Sequence, residues 1–107
     1  MQLSKNQIAK IKQKVNLNNE KLIVRIDVSE DKAMPPDESN FNIYCVDNQY
    51  NIIWQIKEIK TKPINHADMF VYLGKDANGK IIADRFSGFT YAIDPDKGEA
   101  TRTGFHK

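Results

Sequence analysis

The chain has 107 residues, of which 40% are hydrophobic and 28% are charged, and its formal net charge is +2. These values are typical of a soluble globular protein, and the length predicts a single domain, 1–107, with one modest core. No apolar run approaches the roughly 20 residues that span a bilayer, and the first residues lack the apolar segment of a secretory signal. Cys45 is the only cysteine, which excludes an internal disulfide, so we expect a cytoplasmic protein.

Charge is strongly segregated along the chain. Residues 1–25 carry six basic groups and one acidic group, a net charge of +5, whereas residues 26–50 carry six acidic groups and one basic group, a net charge of −5. Such a separation produces a local field that steers a charged partner, unless the two segments pack side by side and cancel.

The first predicted element is an amphipathic helix over about residues 4–15. Ser4 and Gln7 fit a capping box, in which each side chain binds the backbone amide of the other residue. Ile8, Ile11 and Val15 recur at spacings of three and four, which places them on one face of a helix. The asparagines between residues 16 and 19 are typical of a helix end.

Short alternating segments separated by turns predict the rest of the fold. Phe89, Tyr91 and Ile93 alternate with other residues, as in a strand with one buried face. Strands are expected at about 21–28, 41–47, 51–59, 68–74, 80–86, 89–94 and 99–105. Because tight turns join antiparallel strands, the fold class predicted is α+β, with an N-terminal amphipathic helix packed on an antiparallel β-meander of about six to seven strands.

The turns of this meander resemble metal sites at first sight. Asp94, Asp96 and Glu99 resemble the start of a calcium loop, but a ligand at the fifth position and a glycine at the sixth are missing. Asp, Asn and Gly are also the residues that hairpin turns require. His66 and His106 lack the spacing of a zinc site. We therefore expect no metal, no cofactor and no catalytic residue in these turns.

One acidic stretch is the main candidate for a binding surface. Residues 29–40 form the only long irregular segment, and Pro35 and Pro36 interrupt it. Clustered carboxylates raise the rate of association with a basic partner, and an adjacent aromatic side chain can anchor the contact. The aromatic candidates are Tyr44 and Trp54, although the isoleucine-rich strand of Trp54 indicates a core position. The predicted partner-binding residues are Asp27, Glu30, Asp31, Asp37, Glu38 and Tyr44.

The C-terminal part of the chain resembles a known group of proteins. The resemblance rests on residues 51–55, on residues 86–94, on Gly98 and on the ending 104–107. These segments are similar to small β-rich bacterial proteins, among them immunity proteins of polymorphic-toxin and contact-dependent-inhibition systems. The resemblance implies a cytoplasmic protein that binds a toxin domain, often a basic nuclease, and blocks it. It transfers no functional residue, since its shared positions are turn and core residues.

Three hypotheses of function follow from the sequence. The leading one is a non-enzymatic, protein-binding inhibitor that uses the acidic surface. The second is a small bacterial ribonuclease in which Glu99, Arg102 and His106 supply the general base, the phosphate clamp and the general acid. The third is an oligomeric structural module that associates through an exposed sheet edge. Nucleic-acid binding through the N-terminal lysines is disfavoured, because the overall charge is low and arginine is scarce.

Overall fold

A computed structural model of the protein describes residues 1–18, 20–60 and 66–105. Two short helices lie in it, α1 (Lys5–Ala9) and α2 (Pro36–Ser39). The first strands are β1 (Ile11–Asn18), β2 (Lys21–Ile26), β3 (Ile43–Asp47), β4 (Ile52–Gln55) and β5 (Lys57–Ile59). The remaining strands are β6 (Phe70–Lys75), β7 (Ile81–Arg85), β8 (Phe89–Ile93) and β9 (Glu99–Phe105).

The predicted α+β class is wrong, because the described residues form a mostly β structure with two sheets. One sheet has the strand order β1-β2-β3-β4, and the other has the order β5-β9-β8-β7-β6. Neighbouring strands are antiparallel except β5 and β9, which are parallel. The expected antiparallel sheet is therefore present, but it is neither a single meander nor the platform for an N-terminal amphipathic helix.

The predicted helix over residues 4–15 is replaced by one helical turn and a strand. The Ser4–Gln7 capping box is formed, but α1 ends at Ala9. Ile11, Val15 and Leu17 then alternate with exposed polar residues, because Ile11–Asn18 pairs with β2 as an antiparallel strand. Short helices are only marginally stable on their own. The hydrogen bonds and packing between β1 and β2 therefore stabilise the strand more than the spacing of three apolar residues stabilises a helix.

A single chain segment links the two sheets. β4 pairs with β3 in the first sheet, and β5 pairs with β9 in the second. Ile56 lies between them, donates its backbone N–H to the Ile43 carbonyl at 2.9 Å, and is buried. Strands that pass from one sheet to the other in this way form the corners of packed β-sheets.

The main core lies between the two sheets. Its buried side chains include Ile23, Cys45 and Trp54 from the first sheet, and Phe70 and Tyr91 from the second. The other face of the first sheet is also covered, since Val24, Ile26 and Val46 form a second cluster with Leu3 and the half-buried Ile8. β2 is therefore buried on both faces, as a central strand that is covered on each side. Among the described residues, no helix is long and apolar enough to cross a membrane.

A buried arginine ties the second sheet to the segments around it. Arg85, at the end of β7, is 1% exposed. Its Nη1 donates to the carbonyl oxygens of Asn40 and Asp68, both at 2.7 Å, and its Nη2 lies 3.2 Å from Glu58 Oε1. The Tyr91 hydroxyl accepts from Arg85 Nε at 3.0 Å. Burying a charge is tolerated only when it is paired and hydrogen-bonded, and these contacts meet that condition.

The β8–β9 turn is fixed by tight packing against Trp54. Gly98 has a φ of +73°, and a Cβ added there would lie 2.5 Å from the Trp54 ring. Trp54 Nε1 donates to the Pro95 carbonyl at 2.9 Å. Gly79 in the β6–β7 turn has a similar φ of +80°, but a Cβ there would meet nothing within 4 Å.

These two glycines allow the packing contribution to be measured. Gly98→Ala and Gly79→Ala both place alanine in the left-handed region, which costs roughly 1–2 kcal/mol. Only Gly98→Ala also forces overpacking against Trp54, so we expect it to lower the free energy of unfolding by about 1–3 kcal/mol more than Gly79→Ala does. Urea titration of the three proteins measures this difference. Equal losses in the two variants would show that Trp54 does not constrain the turn.

Candidate functional site

The acidic stretch is partly helical. α2 spans Pro36–Ser39, with proline at its start and Asp37 and Glu38 in its first turn. Proline suits the first helical turn, and acidic side chains there are favoured by the helix dipole. The backbone N–H groups of Glu38 and Ser39 donate to the Pro35 carbonyl, both at 3.0 Å. The exposed carboxylates of Asp37 and Glu38 therefore project from a short ordered element.

Four of the six predicted partner-binding residues line one cleft, which we call the acidic cleft. Its volume is about 230 Å³, and Asp27, Asp31, Glu38 and Tyr44 are among its lining residues. Apolar side chains of β2 and of the segment after it contribute to the lining, and α1, β3 and β4 supply the other walls. These further lining residues are Asn6, Gln7, Lys10, Ile26, Val28, Met34, Asn42 and Gln55.

Tyr44 lies at the junction of several walls of the acidic cleft. It is on β3 and pairs with Val24 of β2 and Gln55 of β4. Gln55 Nε2 donates to the Tyr44 hydroxyl at 3.2 Å. Burial, and then the negative charge of Glu38, raise the pKa of Tyr44, whereas a hydrogen bond with Gln7 opposes the rise. The hydroxyl therefore stays protonated near neutral pH and remains available for hydrogen bonding in the cleft.

Asp27 is held by local hydrogen bonds. Its Oδ1 accepts the backbone N–H of Ser29 at 2.9 Å. Hydrogen bonds from the Ser29 side chain and backbone lower the pKa of Asp27, with smaller contributions from the positive charges of Lys12 and Arg25. Asp27 also lines a second, smaller hollow together with Glu30, Lys10 and Lys12. The basic and acidic segments thus meet at this point, and their charges partly cancel there.

The remaining two predicted residues lie outside the acidic cleft. Glu30 lines the small hollow beside Lys10 and Lys12. Asp37 is exposed on α2 and is not among the residues that line the cleft. Asp31 and Glu38 therefore form the acidic edge of the cleft, and both are exposed. Neither has an ion pair among the described residues, although Lys10 also lines the cleft.

The residues of the ribonuclease hypothesis are not brought together in the described part of the chain. Glu99 and Arg102 lie three positions apart on β9, so their side chains point to opposite faces of the sheet. Arg102 Nη2 lies 3.0 Å from Glu58 Oε2, and its guanidinium stacks over the Phe89 ring at 3.8 Å. Its guanidinium is thus engaged within the fold. His106 lies outside the described residues.

In the turns that resemble metal loops, the acidic side chains accept hydrogen bonds from backbone N–H groups of the same turn. Asp76 Oδ1 accepts the N–H groups of Asn78 and Lys80, and Asp94 Oδ1 accepts that of Asp96, all at 2.9 Å. Within residues 1–18, 20–60 and 66–105, no group of three or more His, Cys, Asp or Glu side chains is arranged to hold a metal ion.

Sequence reasoning missed the residues that fix the acidic stretch in place. Asn40 Oδ1 accepts the Asp68 N–H at 2.6 Å, and Asn42 Oδ1 accepts the Phe70 N–H at 2.9 Å. One signal was available: Arg85 occupies the same face of its strand as Ile81 and Ala83. An arginine in a series of inward-facing apolar residues indicates a buried, paired charge.

The chain belongs to a protein family described as a domain of unknown function, DUF7957. The family matches residues 5–105, which include both sheets and the acidic cleft. No curated protein and no solved structure gives a significant match to the chain.

The hydrogen bonds of Asp27 predict a pH-dependent contribution to stability. Because the pKa of Asp27 is lowered in the folded protein, its stabilising effect is present above its unfolded pKa of about 3.9 and is lost as the pH falls through the folded value. We expect Asp27→Asn to lower the free energy of unfolding at pH 7 by less than about 1 kcal/mol, since Asp27 is only half-buried and solvent screens its charge. The loss should become smaller as the pH falls below about 3.9.

Chemical denaturation at pH 7 and pH 3 measures this effect. Asp96→Asn removes a carboxylate from the exposed β8–β9 turn and is the matched control at both pH values. An effect of Asp27→Asn that stays constant with pH would contradict the assignment.

Proposed function

We propose that this protein is a non-enzymatic binding protein that recognises a basic protein partner through the acidic cleft. The observation that carries the proposal is the cleft itself, which is lined by the carboxylates of Asp27 and Asp31, after β2, and of Glu38, on α2, together with Tyr44. Carboxylates accept charge-assisted hydrogen bonds from lysine and arginine, and these are stronger than neutral ones. A lysine or arginine of the partner is the side chain that matches this chemistry.

The apolar part of the cleft supports the same choice of ligand. Ile26, Val28 and Met34 line it alongside the carboxylates. Lysine and arginine carry long aliphatic stems below their charged groups, and such stems pack against apolar surface. A cleft that offers both apolar surface and carboxylates therefore complements a whole basic side chain rather than a free cation.

The construction of the cleft favours binding without large rearrangement. Ile26 lies at the end of β2, Tyr44 lies in β3 and Gln55 lies in β4, three adjacent strands of one sheet. Walls that are ordered before binding reduce the entropy lost on association. A preformed acidic surface also raises the rate of encounter with a basic partner.

Within this class we propose an inhibitor of the immunity type, acting in the cytoplasm on a basic toxin domain. The support is the C-terminal resemblance together with the charge of the cleft, because many nucleases are basic where they bind nucleic acid. An acidic protein surface competes for such a site by charge complementarity.

Charge reversal at the edge of the cleft tests the proposal. Asp31→Lys/Glu38→Lys changes two exposed side chains and should leave the fold intact. We expect this double variant to bind the basic partner at least roughly tenfold more weakly, since like charges then face each other across the interface. The partner is obtained by cross-linking in the source cell, purified separately, and titrated by calorimetry at low and at physiological salt.

The matched control is Glu20→Lys/Asp96→Lys, which makes the same change in net charge at two exposed positions away from the cleft. It should bind as the wild type does. Equal weakening in both double variants would mean that only net charge matters, and unchanged binding in Asp31→Lys/Glu38→Lys would refute the assignment of the cleft.

A further inference from the structure

We propose that a second contact site, the Phe86 groove, lies beside the acidic cleft and takes an apolar side chain of the same partner segment. The groove has a volume of about 370 Å³, and Val28, Asp31, Met34, Met69 and Phe86 are among the residues that line it. This inference rests on the proposed function, because it concerns the same protein partner.

Phe86 is presented to solvent by a well-fixed turn. Its side chain is 73% exposed, although its backbone N–H donates to the Met69 carbonyl at 2.9 Å. The next residue, Ser87, donates its N–H to Asp68 Oδ1 at 2.9 Å and its hydroxyl to Asp68 Oδ2 at 2.6 Å. A large aromatic side chain held outside the core by an ordered turn loses little entropy on binding, which is typical of an interface anchor.

The surface beside Phe86 is suited to an apolar side chain. Val28, Met34 and Met69 line the groove with it, and methionine adapts its shape to different partners. Exposed aromatic and methionine side chains are enriched at the centres of protein interfaces. An aromatic or branched aliphatic side chain is therefore the group that we assign to this groove.

The two sites share a wall, which determines what kind of partner fills them. Val28, Asp31 and Met34 line both the acidic cleft and the Phe86 groove. A single partner segment is thus able to reach both sites. Charge complementarity selects lysine or arginine for the cleft, and the apolar lining selects an aromatic or aliphatic residue for the groove.

Selection from displayed random 12-residue peptides tests this two-site recognition. We expect the enriched peptides to carry a lysine or arginine close to an aromatic or branched aliphatic residue. A synthetic peptide of the enriched sequence is then titrated into wild type, Phe86→Ser, Asp31→Lys/Glu38→Lys and Phe105→Ser. Phe105 is also a strongly exposed aromatic residue, at 57%, but it is not among the lining residues of the groove, so it serves as the matched control.

The expected result is a loss of affinity of roughly tenfold or more for Phe86→Ser and for Asp31→Lys/Glu38→Lys, with Phe105→Ser binding as wild type. Basic peptides without an apolar residue, bound equally by Phe86→Ser, would overturn the inference while the proposed function stands. Peptides that depend on Phe86 but not on Asp31 and Glu38 would contradict both, as would the absence of any enriched peptide.

Methionine signals give a readout that does not depend on the variants folding. The chain has three methionines; Met34 and Met69 line the groove, whereas Met1 is fully exposed and is not among its lining residues. In wild-type protein labelled with ¹³C at the methionine methyl groups, the peptide should shift the Met34 and Met69 signals and leave Met1 unchanged. Shifts confined to Met34, which also lines the acidic cleft, would refute occupation of the groove.

Discussion

The buried guanidinium of Arg85 is the constraint on which the rest of the structure depends. It contacts four separate parts of the chain: Asn40 after α2, Glu58 on β5, Asp68 before β6, and Tyr91 on β8. It also lies 4.1 Å from the centre of the Phe70 ring. Removing one partner from a buried charge costs about 3–5 kcal/mol. The segments that Arg85 joins are therefore expected to keep their positions together.

Glu58 and Tyr91 complete this buried polar cluster. Glu58 pairs with both Arg85 and Arg102, and the Tyr91 hydroxyl donates to Glu58 Oε1 at 2.9 Å. Burial raises the pKa of Tyr91, while its hydrogen bonds with the two arginines oppose the rise. Polar networks with satisfied members specify one arrangement of a core. Here the network fixes β5, β8 and β9 relative to one another.

The same network reaches the proposed binding surface. Asn40 directly follows α2, which carries Glu38 of the acidic cleft, and Asp68 holds the turn that presents Phe86. The backbone carbonyl oxygens of both residues accept hydrogen bonds from Arg85. The acidic cleft and the Phe86 groove are thus attached to the core at one point, which explains how two parts of the chain that are far apart in sequence form one surface.

Local patterning in the sequence anticipates much of the β structure and less of the tertiary arrangement. Alternation places Phe89, Tyr91 and Ile93 in a strand, and they lie in β8. The helical spacing of Ile8, Ile11 and Val15 was misleading. Three apolar residues are enough to fit one face of a helix, but the pairing with β2 decides between helix and strand. The parallel pair of β5 and β9 joins residues some 42 positions apart in sequence (Lys57 and Glu99), and no local pattern carries that information.

The residues of the candidate site were likewise predictable from the sequence, whereas their arrangement in space was not. Composition drew attention to Asp27, Asp31, Glu38 and Tyr44, but their convergence depends on the register of β2 with β3, in which Val24 pairs with Tyr44. The side chain that organises the surface, Arg85, offered only the weaker signal of a charge at an inward-facing position. Phe86 gave none, because an exposed aromatic residue and a buried one look alike in a strand pattern.

The central claim is that Arg85 holds the proposed surface in place. Amide hydrogen exchange in the Arg85→Lys variant tests this claim most directly. Lysine keeps the charge but lacks the planar fork that reaches several acceptors. Arg102→Lys is the matched control, since Arg102 also binds Glu58 and Tyr91 but has no hydrogen bond to the Asn40 or Asp68 carbonyl among the described contacts. We expect faster exchange at Asp68, Phe70 and Ser87 in Arg85→Lys than in Arg102→Lys, with β1–β3 alike in both. Exchange in Arg85→Lys that matches Arg102→Lys at those three amides, or that rises equally in every strand, would contradict the claim.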